Sequence, residues 1–379
     1  MAAVSPDDLA DRIERGERVT LLDVRNRAEI DEWRIDAPGI ERVEVPYMKF
    51  VAAGAGGDPA DLLPEDVVEP VVAVCGRGEA SDEVAAQLRE AGVDARNLAE
   101  GMHGWARVYR RVELAADAGA ATVYQYHRPS SGCLAYLVVS GEEALVVDPL
   151  RAFADRYRAD AAELGADLAA AVDTHVHADH VSGLRDLADA GATPYMSATA
   201  VDRGVTFDVE TVEDGDALTV GDAAVEVVAT PGHTTGMVSL AVGDLLLCGD
   251  TLFVDGVPRP DLESGDEGAS EHARDLHRTL TERLARFDDD AVVAPGHYGD
   301  AAERAPDGSY TAPLGELRER LWPFGVDADA FVERVLDGLG ARPANFERVI
   351  AVNLGRESAD DEAAFELELG PNNCAAAAD

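Results

Sequence analysis

The sequence predicts a chain that combines two fold classes, α/β followed by α+β. Over residues 1–113 strands alternate with helices, which predicts a parallel α/β domain. Over residues 122–305 close-set strands with intervening helices predict two sheets sandwiched between helices, an αβ/βα arrangement. Residues 306–379 predict an extension packed on that second domain. A length of 379 residues with 46% hydrophobic residues provides enough apolar material for these cores.

The first domain begins with a predicted helix, because Ser5 can cap it and Pro6 suits its first turn. Apolar runs predict two buried strands, and an amphipathic segment that stops at Gly92 predicts a helix. A run of small residues predicts the linker to the second domain. These segments are, in order, 19–25 and 71–75 for the strands, 81–92 for the helix and 114–121 for the linker.

The second domain is rich in short apolar runs, which predict strands. They lie at 122–127, 134–140, 144–149, 224–230, 237–242, 244–250 and 290–297 and within the segment 168–180, with helices expected near 155–165 and 269–286. In the extension, residues 314–321 and 327–339 predict helices. The alternating segment AFELELG at 364–370 predicts a final strand.

Charge limits the function classes. The chain has 74 acidic and 32 basic residues, a formal net charge of −42, so it repels nucleic acid and anionic membranes. Acids interleaved with apolar residues exclude a disordered chain and predict a salt-rich cytosol, where about 1 M salt shortens the Debye length to roughly 3 Å. The N-terminus has no signal-like apolar region, no apolar run is long enough to span a membrane, and four scattered cysteines predict no disulfides. We therefore expect a cytoplasmic protein.

One of these cysteines lies between a predicted strand and a predicted helix, in the segment CGRGEAS at 75–81. Helix N–H groups at such a junction stabilise an anion, so they favour a thiolate or a persulfide on Cys75. Two glycines allow successive N–H groups to point inward as an anion nest. The alternative is a buried cysteine at a strand end with no chemical role.

Three motifs occur in the order and spacing of rhodanese-type sulfurtransferases: LLDVR at 21–25, the Cys75 loop and GMHGW at 101–105. The first domain resembles that family over most of residues 5–112. The resemblance implies that Cys75 carries a sulfane sulfur as a persulfide and that Arg77 helps to bind an anionic donor. Ala80 stands where related single-domain rhodaneses often carry arginine, so the sulfur donor is left open.

A second set of candidate residues follows the apolar strands of the second domain. Five of the nine histidines and two aspartates occur at strand ends, where side chains converge at one edge of a sheet. Imidazole and carboxylate groups together are what a divalent transition metal requires. The set comprises His175, His177, Asp179 and His180 in THVHADH, His233 in TPGH, Asp250 in CGD and His297 in APGH.

The pattern HxHxDH with a later His, Asp and His resembles the metallo-β-lactamase superfamily over residues 122–305. Within that superfamily, similarity to persulfide dioxygenases implies one Fe(II) per chain held by His175, His233 and Asp250. This arrangement leaves positions open for O₂ and a substrate sulfur. The resemblance implies that the other four residues, His177, Asp179, His180 and His297, support these ligands.

Similarity to hydroxyacylglutathione hydrolases of the glyoxalase II type gives a competing interpretation. There the same seven residues hold two metals, zinc or iron, Asp250 bridges them, and a thioester is hydrolysed. In that case the rhodanese-like domain is a sulfur-binding or regulatory module. All seven residues are present, so the ligand set does not separate the two interpretations.

Three further features favour the dioxygenase: CGDTLFVDGVPRPDL at 248–262, the extension segment 330–355, and fusion to a domain that handles sulfane sulfur. The expected substrates are a low-molecular-weight thiol persulfide and O₂. Arg259 is the candidate for gripping a substrate carboxylate, with a surface-loop arginine as the alternative. Cys374 is either a mobile tail thiol that relays sulfur or an inert tail residue. The thiol carrier and a homo-oligomeric state are left open.

Overall fold

The computed structural model describes residues 3–54, 56–299, 301–370 and 373–376, which divide into two compact units. The first unit ends at Tyr109 and also includes Arg128–Ser131 and the short stretch 369–370. The second begins at Arg110 and contains the rest of the described chain. Residues 110–113, which the sequence groups with the first domain, are a strand in a sheet of the second unit.

A five-stranded parallel sheet forms the centre of the first unit, as the alternation of strands and helices predicts. Its strands lie in the order β1-β5-β4-β2-β3. They span Ala3–Val4 (β1), Val19–Asp23 (β2), Ile40–Glu44 (β3), Val71–Val74 (β4) and Ala95–Leu98 (β5). The central strands β2 and β4 are buried along their whole length, because separate apolar clusters cover both faces of the sheet.

The unit has five helices: Pro6–Glu14 (α1), Arg27–Glu32 (α2), Tyr47–Ala53 (α3), Glu79–Glu90 (α4) and Gly101–Trp105 (α5). Helices α1 and α5 contribute to one apolar cluster, and α3 and α4 contribute to the other. The predicted cap of α1 is confirmed, because the Ser5 side chain accepts a hydrogen bond from the Asp8 backbone. Helix α4 begins two residues earlier than predicted, directly after Gly78, whose φ of 97° is left-handed. Cys75 therefore lies in a short turn between β4 and α4.

The second unit contains two sheets, which confirms the predicted sandwich. The seven-stranded sheet has the order β12-β11-β10-β9-β8-β7-β6. Its strands are Arg110–Glu113 (β6), Thr122–His127 (β7), Leu134–Ser140 (β8), Glu143–Val147 (β9), Asp167–Val172 (β10), Thr193–Ser197 (β11) and Glu210–Val212 (β12). The six-stranded sheet runs from β13 to β18 in sequence order. Its strands are Ala217–Val220 (β13), Ala223–Ala229 (β14), Val238–Val242 (β15), Leu245–Gly249 (β16), Val292–Pro295 (β17) and Ala312–Pro313 (β18).

The main core of this unit lies where side chains of both sheets meet, for example Val138 and Leu145 with Val227 and Leu240. Helices Ala154–Glu163 (α6), Leu184–Asp189 (α7) and Ala198–Val201 (α8) accompany the seven-stranded sheet in the chain. Helix Gly265–Arg278 (α9) packs on the six-stranded sheet through an apolar cluster that includes Leu276 and Leu246. Each sheet therefore buries an apolar face against its partner.

The extension contributes β18 to the six-stranded sheet and then continues as four helices: Leu314–Arg320 (α10), Ala328–Asp337 (α11), Phe346–Asn353 (α12) and Asp361–Leu367 (α13). The predicted strand at 364–370 is wrong, because most of it belongs to α13. Asp360 caps that helix by accepting a hydrogen bond from Ala363 N, and Asp361 and Glu362 suit its first turn. The helix still buries Phe365 and Leu367, so the alternating pattern was compatible with both structures.

Among the described residues, none of the helices combines the length and the hydropathy needed to cross a membrane.

Candidate functional site

Histidines and aspartates gather where four strands of the second unit end. Asp148 follows β9, His175 follows β10, Asp250 follows β16 and His297 follows β17. Strands β9 and β10 run parallel, as do β16 and β17, so their carboxyl ends deliver these side chains to one edge of each sheet. His233 joins them from the connection between β14 and β15. All five side chains are buried.

Three of these residues surround a single point. A ring nitrogen of His175, a ring nitrogen of His233 and a carboxylate oxygen of Asp250 all lie within 4.8 Å of one another. The Asp250 Oδ2 atom is 4.0 Å from His175 Nε2 and 3.7 Å from His233 Nε2. Within the described chain, His175 Nε2 and Asp250 Oδ2 are buried without a hydrogen-bond partner. Buried polar atoms without partners are costly, so this geometry fits a bound cation.

The opposite ring nitrogens of the two histidines are fixed by hydrogen bonds. His175 Nδ1 lies 3.0 Å from Thr174 Oγ1, and the Thr174 hydroxyl donates to Asp148 Oδ2. His233 Nδ1 donates to the backbone carbonyl of Arg259 at 2.7 Å. Such contacts select the tautomer and turn Nε2 toward the metal position. Burial lowers the pKa of both imidazoles, which favours the neutral form that ligates metals.

A single carboxylate, Asp148, shapes the loop that carries the HxHxDH residues. It has a left-handed φ of 51°, and its Oδ1 accepts from the Thr174 backbone at 2.7 Å and from His177 Nε2 at 3.0 Å. Burial opposes protonation of His177, but the Asp148 carboxylate outweighs it and raises the pKa of His177 to about 9. His177 therefore contacts Asp148 and lies next to His175, outside the cluster of His175, His233 and Asp250.

His297 connects the two halves of the candidate site. Its Nδ1 lies 2.7 Å from Asp250 Oδ1, and its Nε2 lies 2.9 Å from Asp179 Oδ2. The same Asp179 oxygen is 3.1 Å from His180 Nδ1 and accepts from Cys133 Sγ at 3.2 Å. Although burial opposes it, the two carboxylates raise the pKa of His297 well above its usual value. The seven predicted residues are thus all brought to one buried site.

Arg259 is placed differently from the expectation for a substrate-binding residue. Its side chain is 1% exposed, and Nε and Nη2 donate to the two oxygens of Asp261 at 2.7 and 3.1 Å. Further donations reach the carbonyls of Gly340, Ala341 and Asn373. The guanidinium is therefore committed to internal acceptors, and both the surface-loop and the substrate-gripping interpretations lose support. The contact with His233 comes from its backbone.

Two residues of the extension reach the candidate site, and local sequence patterns predicted neither contact. Cys374 is 1% exposed, and its sulfur lies within 4.8 Å of ligand atoms of Asp250 and His297. The tail is held there because Arg259 N donates to the Cys374 carbonyl and Ala376 N donates to the Val257 carbonyl. Burial raises the pKa of the Cys374 thiol well above its usual value. The structure thus buries this thiol instead of leaving it in a mobile tail.

The second contact from the extension is made by Asn353, which hydrogen-bonds to the backbone of the HxHxDH loop. The only sequence signal for it was its place in the segment 330–355, which resembles the dioxygenase extension.

In the first unit, Cys75 is 7% exposed at the end of β4 and receives polar contacts from the next turn. The Gly78 backbone donates to Cys75 Sγ at 3.1 Å, and Ser81 Oγ lies 3.2 Å away. These contacts are those expected of a site that stabilises a sulfur anion.

The motif GMHGW holds this turn through its backbone. Met102 N donates to the Cys75 carbonyl at 2.9 Å, and His103 N donates to the Gly76 carbonyl at 3.0 Å. A Cβ atom at Gly101 would lie 2.2 Å from the Cys75 carbonyl oxygen, and its φ is 57°, so only glycine fits there. This contact explains why the two motifs occur together.

A cavity of about 460 Å³ opens beside Cys75. Its lining includes Arg25, Arg77, Tyr47 and Met48. Arg25 is tied to Asp23 by a 2.7 Å ion pair, whereas Arg77 is an exposed residue. The volume suits a small molecule.

Comparison with known families places both units. A family model described as rhodanese-like domain matches residues 5–108, and one described as metallo-beta-lactamase superfamily matches residues 129–297. The human persulfide dioxygenase ETHE1 is 33% identical over 201 residues, covering 50% of this chain and 74% of that protein. A hydroxyacylglutathione hydrolase of Acidiphilium cryptum is 33% identical over 217 residues, covering 55% of this chain and 84% of that protein.

Solved structures agree with this placement. The crystal structure of ETHE1 from Myxococcus xanthus has a TM-score of 0.54 at 28% identity, covering 62% of this chain and 98% of that chain. The chain therefore belongs to the metallo-β-lactamase superfamily, and it combines an N-terminal rhodanese-like domain with a second domain that is homologous to the persulfide dioxygenase ETHE1.

Proposed function

We propose that the second unit oxidises a low-molecular-weight thiol persulfide with O₂, using one Fe(II) per chain. In the balanced reaction RSSH + O₂ + H₂O gives RSH, sulfite and two protons. The S–S bond breaks, the outer sulfur loses four electrons to O₂, and the inner sulfur leaves as the thiol. The acidic composition, with a net charge of −42, supports a salt-rich cytosol as the place of this reaction.

The observation that carries the proposal is the cluster of His175 Nε2, His233 Nε2 and Asp250 Oδ2 around one point. Two imidazoles and one carboxylate are the donor set typical of an Fe(II) oxygenase, and bound iron would supply open positions for O₂ and sulfur. Both nitrogens of His297 already lie within hydrogen-bond distance of carboxylates. In this arrangement His297 acts as a support for Asp250.

The surrounding residues act by holding the ligands still. His297 fixes one Asp250 oxygen, so the other oxygen is directed to the metal position. The Asp148–Thr174 pair orients His175, and the Arg259 carbonyl orients His233. Phe253 lies edge-on to the His297 ring and shields this side of the site from water.

For the first unit we propose sulfane-sulfur transfer on Cys75. The thiolate attacks the outer sulfur of an anionic donor, a new S–S bond forms, and the donor leaves with the electron pair of the broken bond. The Gly78 N–H stabilises the sulfur anion, and Arg77 at the cavity helps to bind the donor. The persulfide then passes its sulfur to a thiol acceptor.

Metal analysis together with O₂ uptake tests the main proposal. Protein purified in molar salt and loaded anaerobically with Fe(II) should hold about one iron per chain, as expected if iron binds only the cluster of His175, His233 and Asp250. It should consume O₂ with a thiol persulfide and not with the matching thiol or disulfide. Sulfite should form in a 1:1 ratio to O₂. Iron-loaded protein without persulfide-dependent O₂ uptake would overturn the proposal.

The second candidate is a thioester hydrolase with two metals. It is favoured by Asp179 Oδ1 and His180 Nε2, which are buried and, within the described chain, have no hydrogen-bond partner. The hydroxyacylglutathione hydrolase of Acidiphilium cryptum is as similar in identity, 33%, as the human ETHE1 protein. Two zinc ions per chain and hydrolysis of a glutathione thioester, with no O₂ uptake, would establish this alternative.

Replacing Cys75 with serine should separate the two activities. The variant keeps the backbone contacts of the turn but loses the sulfur nucleophile, so transfer of sulfane sulfur from thiosulfate or a persulfide should fall to the uncatalysed rate. Oxygen uptake should stay within about twofold of the original protein, since the proposed iron ligands are unchanged. Loss of both activities in a folded variant would contradict independent domains.

A further inference from the structure

The inference concerns Asn353, the last residue of α12 in the extension. Its side chain is 6% exposed, and its three hydrogen bonds all go to the backbone of the HxHxDH loop. The amide nitrogen donates to the carbonyls of His177 and His180 at 3.0 and 2.9 Å. The amide oxygen accepts from the Ser182 backbone at 2.9 Å.

These three contacts hold a segment that has no regular secondary structure of its own. The residues between β10 and α7 carry His175, His177, Asp179 and His180, so their backbone sets where the candidate ligands point. Buried carbonyl and N–H groups in such a loop require partners. Asn353 supplies three of them from one side chain, on both sides of the Asp179–His180 pair.

Apolar packing brings α12 to the right place. Val181 of the loop lies in a buried cluster with Val349 and Val352 of α12, together with Ala364 and Leu367 of α13. The Arg185 guanidinium also donates to the Val352 carbonyl at 2.9 Å. The extension is therefore docked directly on the loop, and its docking and its hydrogen bonds can be perturbed separately.

We propose that Asn353 is a positioning residue for the metal site, by which the C-terminal extension sets metal affinity and ligand geometry. The inference rests on the proposed metal site, because it assumes that the HxHxDH loop holds a metal ligand. An amide is suited to this position, since it donates twice and accepts once within a single planar group. Carboxylate, aliphatic or hydroxyl side chains do not provide that combination.

The test uses Asn353→Asp, which keeps the size and the acceptor for Ser182 but places an oxygen against two carbonyl oxygens. Co(II) is titrated into the full-length protein in molar salt in competition with a chelator, and its visible absorption reports the ligand geometry. Asn353→Asp should weaken Co(II) binding about 10- to 100-fold, the usual effect of losing a group that supports metal ligands, and should shift the absorption bands. Asn353→Ser can donate one hydrogen bond, so its Co(II) affinity should lie between those of the wild type and Asn353→Asp. It also gives a second variant if the first does not fold.

The matched control is Val349→Ala, on the same helix and in the same buried cluster but without a polar contact to the loop. It should lower thermal stability while Co(II) affinity stays within about twofold. Equal Co(II) affinity and spectra in wild type, Asn353→Asp and Asn353→Ser would overturn the inference alone. A wild-type protein that binds no Co(II) would overturn the proposed metal site as well.

Discussion

Alanine at His233 should leave a folded chain that no longer retains iron and no longer consumes O₂ above background. His233 Nε2 is one of three atoms in the candidate metal cluster, and two remaining ligands do not complete a stable site. The loss of iron affinity should exceed the about 100-fold that removal of a supporting group costs. Iron content by mass spectrometry and persulfide-dependent O₂ uptake measure the result.

The matched variant is His180→Ala, which removes a buried histidine from the same set of seven. In the mononuclear interpretation His180 supports Asp179 through a 3.1 Å contact and does not bind iron. Iron should then stay near one per chain, with O₂ uptake reduced by at most about 100-fold. If iron is lost from both variants to the same extent, the mononuclear assignment fails and the dinuclear hydrolase becomes the better interpretation.

The contrast between these two histidines shows what the sequence could predict. Both follow apolar strands, and the rule that strand ends converge at a sheet edge was sufficient to bring them to one site. The sequence did not show which atoms share hydrogen bonds. For example, His297 lies between Asp250 and Asp179 and contacts one with each ring nitrogen. This arrangement depends on distances between residues that different strands supply.

The sequence could not predict the contacts made by the extension for the same reason. The sequence predicts Arg259 as a candidate site residue, but apart from its near neighbour Asp261 its partners, the carbonyls of Gly340 and Ala341, come from a distant part of the chain. Cys374 reaches Asp250 and His297, and Asn353 reaches the backbone of the HxHxDH loop, through tertiary packing, which leaves no periodic signal. The helix at Asp361–Leu367 shows a related limit, because a short alternating segment fits a strand as well as a capped helix that buries Phe365 and Leu367.

Lowering the salt concentration should cause the second large effect, loss of the folded state. The 74 acidic residues exceed the 32 basic ones by 42, so even pairing of every basic residue with one acid leaves that excess uncompensated. Only eight acidic residues are buried in the described chain: Asp23, Asp148, Asp160, Asp173, Asp179, Asp250, Asp261 and Glu368. The excess negative charge therefore lies at the surface, where it is screened by salt and repels itself without it.

The Debye length grows from about 3 Å at 1 M salt to about 10 Å at 0.1 M, so repulsion spreads from nearest neighbours to whole faces of each unit. We expect the melting temperature to fall by more than about 10 °C over this change. At about 2–4 °C per kcal/mol for a domain of 150–250 residues, that corresponds to several kcal/mol. Circular dichroism during thermal unfolding in a KCl series measures it.

High salt also strengthens hydrophobic burial, so a variant must separate that effect from screening. Replacing the exposed Glu65, Glu271 and Glu319 with glutamine lowers surface charge without changing the cores. If screening dominates, this variant should reach its half-maximal stability at lower KCl than the original protein. Identical salt profiles for the two proteins would assign the effect to hydrophobic burial instead. Because the chain is expected to unfold at low salt by either cause, an activity assay in dilute buffer would report unfolding and not the chemistry of His233 or Cys75.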